Sequence, residues 1–232
     1  MNAEDLPVRD APSPNWDERP GPVDTLILHY TGMQTAAAAL DRLRDPAARV
    51  SSHYVVEEDG TVWRLVAEQH RAWHAGVSGW RGRTVLNDGS VGVEIVNPGH
   101  EWGYRPFPAL QMAAVCDLCL GILRRHPIPC RNVVGHSDVA PDRKTDPGEL
   151  FDWQGLAANG VGLWPADTDA AVPDHQEAVR AALATIGYPP GELPVLLRAF
   201  QRHWRPENVN GIADPGTRQR LHGVLLASEV AA

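Results

Sequence analysis

Residues 90–97, SVGVEIVN, constrain this chain more than any other stretch. Valine and isoleucine dominate the run and Pro98-Gly99 closes it, so it reads as a strand. Val91, Val93 and Ile95 fall on one of its faces, leaving Gly92, Glu94 and Val96 on the other. A carboxylate in so apolar a strand costs several kcal/mol to bury unless it is paired or faces a site. Either an arginine neutralises Glu94, or Glu94 faces a site, which a substrate or metal is expected to approach over the bare Gly92.

Strand-like and helix-like runs alternate on both sides of it. Residues 23–29 (VDTLILH) are β-rich and end in His29, just before the turn-prone Thr31-Gly32. Residues 35–43 suit a short helix, and residues 52–57 and 61–66 flank Glu58-Asp59-Gly60 as a hairpin. Over residues 109–125, Met112, Val115, Cys116, Cys119, Ile122 and Leu123 recur at helical spacing, with Arg124 and Arg125 at the negative end of the helix. Val133-Val134 then runs into the polar loop 135–148. This interleaving predicts an α/β fold, a central mixed β-sheet flanked by helices. Three further helical patterns follow a compositional shift at residues 160–173. One of them opens on Asp214-Pro215, a cap followed by a first-turn proline. The expected organisation is an extended arm over residues 1–22, a main domain over 23–160, a linker over 161–172 and a small C-terminal three-helix bundle over 173–232. Prolines 7, 12, 14, 20 and 22 are expected to keep the arm free of regular structure.

The formal charge of −8 over 232 residues, with no basic face on the C-terminal helices, excludes a nucleic-acid partner. No run approaches the ~20 apolar residues of a membrane span. Residues 1–22 are acidic and proline-rich and do not read as a signal peptide. Three cysteines form an odd, sparse set that suits a reducing compartment, so a cytoplasmic location is expected. Cys116 and Cys119 both fall on the apolar stripe of their helix, which makes core packing the expectation for this C-x-x-C.

The polar loop GHSDVAPDRKTDPG holds His136 and Asp146, and also Lys144, the single lysine among 21 lysines plus arginines. Two imidazoles and a carboxylate, from His29, His136 and Asp146, are the donors of a catalytic zinc set that leaves a fourth position for water. The spacing equally allows a hydrogen-bonded His29 and a merely solvated loop. Residues 67–90 are irregular and carry Trp73, His74 and Trp80, and a stretch of that length is usually functional or disordered.

LILHYT, SSHYVV, WHAG, the Trp-Arg-Gly-Arg segment before Leu86-Asn87-Asp88, VGVEIVNPG and GHSDVAPDRKTDPG occur in this order between about residues 23 and 153. As a set they resemble the zinc-dependent N-acetylmuramoyl-L-alanine amidases of the type 2 family, relatives of the peptidoglycan recognition proteins. The resemblance implies one Zn2+ per chain on His29, His136 and Asp146, Glu94 as the general base, and Lys144 stabilising the oxyanion. It implies muropeptides or other peptidoglycan fragments as partners, cut between the lactyl group of (1,6-anhydro-)N-acetylmuramic acid and L-alanine. Trp73, His74, Trp80, Arg81 and Asn87 are expected to face the substrate, aromatic faces for sugar and polar groups for the peptide. His53, present in the family but not a ligand, is expected to pack or hydrogen-bond beside the ligands. The segment LRAFQRHWRPENVNGIADPGTRQRL resembles a peptidoglycan-binding-type domain, which either binds glycan or peptide or buttresses the main domain. Cytoplasmic recycling of fragments is the expected role. The alternatives are an exported or periplasmic amidase acting on intact wall and a non-catalytic receptor, and the presence of all three ligands with Glu94 and Lys144 counts against the latter.

Overall fold

Glu94 sits in strand β7 (Ser90–Ile95), which lies parallel to β3 (Thr25–Tyr30) in a register that sets His29 opposite Glu94. The computed structural model describes residues 7–230, so residues 1–6 of the expected arm lie outside it. β1 (Val8–Asp10), β4 (Tyr54–Val56), β5 (Val62–Arg64) and β8 (Val133–Gly135) complete a six-stranded sheet in the order β1-β5-β4-β7-β3-β8. Its β4–β5 pair is antiparallel, closed by a turn in which Gly60 takes a φ of +88°, and the other pairs are parallel. The sheet is therefore mixed, as the alternation of runs requires.

The N-terminal arm departs from expectation. Besides β1, it forms β2 (Trp16–Glu18), antiparallel to β6 (His70–Ala72), inside the stretch read as irregular. Both pairings join segments far apart in sequence, so neither leaves a local pattern. Arg19 fastens the arm by donating to the carbonyls of Glu68, His70, Asp88 and Ser90 at 2.7–3.0 Å.

Helix α1 (Ala36–Arg44) is capped by Thr35, whose hydroxyl accepts from the Ala38 N–H. Two short helices, α2 (Gly99–Trp102) and α4 (His136–Val139), occupy segments that carry no helical period, and α4 stands where a plain loop was expected. Helix α3 (Ala109–Arg125) spans the expected residues and covers one face of the sheet. Under it, Leu26 and Leu28 of β3, Val91, Val93 and Ile95 of β7 and Val115, Cys119 and Ile122 of α3 form one core. The short α5 (Trp153–Ala158) adds Trp153 and Leu156 to it.

The opposite face is covered in two patches. Val55 and Val96 pack with Leu43 of α1 and Ala11 of the arm. Ile27 and Val134 pack beneath α6 (Gln176–Ile186), α7 (Leu193–Trp204) and α8 (Pro215–Val230), the three expected C-terminal helices. The bundle thus shares a continuous core with the sheet rather than enclosing its own. Between the patches lie His29, Gly92 and Glu94.

Candidate metal centre

His29 stands near the C-terminal end of β3, and His136 opens α4 directly after the neighbouring strand β8. The backbone turns back beyond α4, where the Ser137 N–H donates to the Asp146 carbonyl at 2.8 Å, bringing Asp146 beside both imidazoles. The Nδ1 atoms of His29 and His136 are 2.9 Å apart, and Asp146 Oδ2 lies 3.2 and 3.1 Å from them. All three residues are buried, and among the described residues they form the one group of donors able to hold a metal ion. Donor atoms of a tetrahedral ion with bonds near 2.0–2.1 Å stand about 3.3 Å apart, close to this triangle.

The protonation pattern suits a cation as well. His136 Nε2 faces the Ala75 carbonyl at 3.1 Å, which only an N–H can satisfy. With that N–H on Nε2, the Nδ1 lone pair of His136 is turned toward the triangle. Burial, reinforced by His136, lowers the His29 pKa to about 4, so the His29 ring is neutral near pH 7. Burial alone would raise the Asp146 carboxyl, but His136 and His29 beside it hold it far below the usual carboxylate range. Two lone pairs and one negative oxygen converge on one point, and a metal ion is the group that fits there.

The triangle opens on a cleft of roughly 480 Å³. Tyr30, Trp73, Glu94, Arg143 and Lys144 line it, and Arg42 of α1 and Glu101 of α2 form part of its walls. One Glu94 carboxylate oxygen, Oε2, is buried without a hydrogen-bond partner among the described residues. Burial, followed by the Asp146 charge, pushes the Glu94 pKa well above its ordinary value, while Lys144 pulls it down. Among the described residues no arginine pairs with this carboxylate, so of the two readings of Glu94 the structure takes the open site.

Residues 19–149 match the family described as N-acetylmuramoyl-L-alanine amidase. The chain belongs to this amidase family. It is 38% identical over 230 residues to the N-acetylmuramoyl-L-alanine amidase AmiD of Escherichia coli K12, covering 88% of this chain and 82% of that relative. The 1,6-anhydro-N-acetylmuramyl-L-alanine amidase AmpD of Citrobacter freundii is 35% identical over 165 residues, 63% of this chain and 86% of its own. The structure of E. coli AmiD in complex with the substrate anhydro-N-acetylmuramic acid-L-Ala-D-gamma-Glu-L-Lys superposes with a TM-score of 0.80 at 37% identity, covering 88% of this chain and 89% of that one. AmpDh3 of Pseudomonas aeruginosa, in complex with anhydromuramic pentapeptide, gives 0.80 at 33% identity, covering 94% and 95%. The chain is accordingly an amidase, with the sheet-and-helix architecture of these relatives.

The five residues expected to face substrate in this amidase separate into distinct environments. Trp73 lines the cleft, its Nε1 donating to Asp17 at 2.7 Å and its ring 5.9 Å from the Arg49 guanidinium. His74 reaches the cleft with only an edge. Its ring is nine-tenths buried against Gly92, where an added Cβ would meet the His74 Cγ at 2.5 Å. Gly92 therefore makes room for His74 rather than for substrate or metal. Trp80, 3% exposed, packs edge-on to Tyr188 in the shared core. Arg81 donates to the Ile186 carbonyl at 2.8 Å, at the end of α6. Asn87 is buried, with Oδ1 accepting from the backbone N–H groups of His74 and Ala75 at 3.2 and 2.8 Å. Trp80, Arg81 and Asn87 thus stand behind the cleft and tie its loop down. The local richness in Trp and Arg gives no means of telling such anchors from ligand contacts.

His53 is fully buried and stands apart from the donor triangle. Its Nδ1 accepts from the Gly92 N–H at 2.9 Å, and its Nε2 points to the His70 carbonyl at 3.1 Å. Two features of the site went unread in the sequence. The Ala75 carbonyl is a backbone group and has no side-chain signature. Arg42 lies on the exposed face of an alanine-rich helix, where a charge is ordinary.

Proposed function

We propose that this amidase holds one zinc ion on His29, His136 and Asp146 and hydrolyses the bond between the lactyl group of 1,6-anhydro-N-acetylmuramic acid and L-alanine in soluble muropeptides. The observation that carries this reading is the triangle of inward-turned donor atoms beside a buried, unpartnered Glu94 oxygen. Zinc in that position would supply a Lewis acid for the scissile carbonyl and bring the pKa of a water toward ~7. Glu94 Oε2 takes the proton of the attacking water and returns it to the departing amine of L-alanine. Lys144 presents its ammonium to the negative charge that grows on the carbonyl oxygen. Trp73 offers an aromatic face on the cleft wall to the sugar ring.

The substrate class follows the anhydro-muropeptides named with the relatives. Three free cysteines, one of them exposed, favour a reducing compartment and with it fragment recycling in the cytoplasm. In this reading residues 23–160 are the catalytic unit, and residues 173–232 support the face of the sheet that carries it.

A side-by-side digest of soluble anhydro-muropeptides and intact sacculi, read by mass spectrometry with and without a chelator, tests the proposal. The expected result is free peptide from the soluble fragments alone, abolished by the chelator and restored by zinc. Release from sacculi would replace recycling with wall cleavage. Undiminished cleavage in the metal-stripped protein would overturn the zinc mechanism.

A further inference from the structure

We propose that the dipeptide His74-Ala75, held by Asn87, is the orienting frame of the metal centre: His74 positions His29 and the Ala75 carbonyl positions His136. This rests on the metal reading above and assigns to His74 and Ala75 of the WHAG segment a role other than substrate contact.

The geometry is specific at each step. A histidine that binds a metal through Nδ1 keeps its single proton on Nε2, and an acceptor there fixes both tautomer and ring angle. For His136 that acceptor is the Ala75 carbonyl at 3.1 Å. For His29 it is His74 Nδ1, 3.0 Å from His29 Nε2. His74 then carries its own proton on Nε2, where Ser90 Oγ accepts at 3.1 Å. The outer nitrogens of both imidazole ligands therefore end on consecutive residues of one loop.

That loop is itself immobilised. Asn87 Oδ1 receives the backbone N–H groups of both residues, and the Arg143 guanidinium donates to the Ala75 carbonyl at 2.8 Å. The bare backbone of Gly92 leaves the space that the His74 ring fills. Substrate contact would require the polar atoms of His74 and Asn87 to face the cleft. Instead both His74 ring nitrogens and the Asn87 carbonyl oxygen are engaged within the protein.

The test compares His74→Ala with His74→Asn. An asparagine places an amide oxygen where Nδ1 stood, so it keeps the acceptor for His29, whereas alanine removes it. Zinc affinity is measured by competition with a chromogenic chelator, and the site's geometry by the visible absorption of the cobalt(II)-loaded protein. His74→Ala should weaken zinc about 10–100-fold and alter the cobalt spectrum, with His74→Asn within about threefold of wild type and spectrally unchanged. Asn87→Leu should weaken zinc in the same direction, and Asn87→Asp, which keeps an acceptor oxygen, should weaken it less. Thermal melting of the metal-free proteins separates loss of fold from loss of metal. If His74→Ala does not fold, His74→Gln replaces it, because its amide reaches the place of Nε2 instead. Equal zinc affinity and an unchanged cobalt spectrum in the wild type and either acceptor-less variant would overturn the proposal. A wild-type chain that binds no zinc would instead overturn the metal reading itself.

Discussion

The two faces of the central sheet are built to different ends from the same strands. Under α3, Leu26, Leu28, Val91, Val93 and Ile95 are all fully buried in one apolar core. On the other face the same strands alternate into Ile27, His29, Gly92, Glu94 and Val96, and the cover divides into two patches with the cleft between them. The lesson is one of division of labour. The closed face supplies the burial that stabilises the strands, and the open face can then carry a carboxylate with a buried, unpartnered oxygen beside three converging donor side chains. Neither role survives a one-residue slip of register, which would exchange the two sets of side chains.

That division can be broken from either side. The largest effect is expected on the open face, where Glu94→Gln should lower kcat by about 10²–10⁴-fold. Its metal content and melting temperature should stay at or above wild type, because a neutral amide is cheaper to bury than a carboxylate. Metal analysis beside turnover of an anhydro-muropeptide checks this, and an active, metal-loaded variant would remove Glu94 as the base. On the closed face Leu26→Ala should cost about 2–5 kcal/mol in urea unfolding while leaving turnover per folded molecule unchanged. A fall in turnover matching that of Glu94→Gln would show that the faces are not separable.

The smallest effect sharpens the comparison by asking what a polar group does on the closed side. Glu68 there accepts from the Tyr54 hydroxyl and pairs with Arg125, at the end of α3, and with His126. Burial would raise its pKa, but these partners bring it down to about 2 from an ordinary value of 4.5. The folded state thus binds its proton less readily than the unfolded one. The resulting stabilisation is complete above about pH 4.5 and is lost as the pH falls toward 2. Glu68→Gln should remove roughly 2 kcal/mol of that acid-dependent stability, measured as the difference in unfolding free energy between pH 6 and pH 2.5, and leave catalysis intact. Glu94, unpartnered on the open face, has its pKa displaced the opposite way.

Much of this was legible in the linear chain. The alternation of SVGVEIVN assigned β7 its two faces, the periodicity over residues 109–125 matched α3 residue for residue, and Glu58-Asp59-Gly60 marked the turn between β4 and β5. These are local signals, because side-chain period and turn chemistry act over a few residues. The identities of His29, His136 and Asp146 were also readable, through motifs that resemble a known family.

What only the tertiary structure decided depends on pairings across the chain. The arm's strands β1 and β2 exist because β5 and β6 offer them edges, which no local pattern encodes. The same holds for the stretch of residues 67–90, where tryptophan, histidine and asparagine suggested substrate contacts. Packing turned His74 toward His29, Asn87 toward the backbone and Trp80 into the core shared with the C-terminal helices. A side chain's chemistry is written in the sequence, but the direction in which it points is set by which remote backbone leaves room for it, here the bare Gly92 beneath the His74 ring.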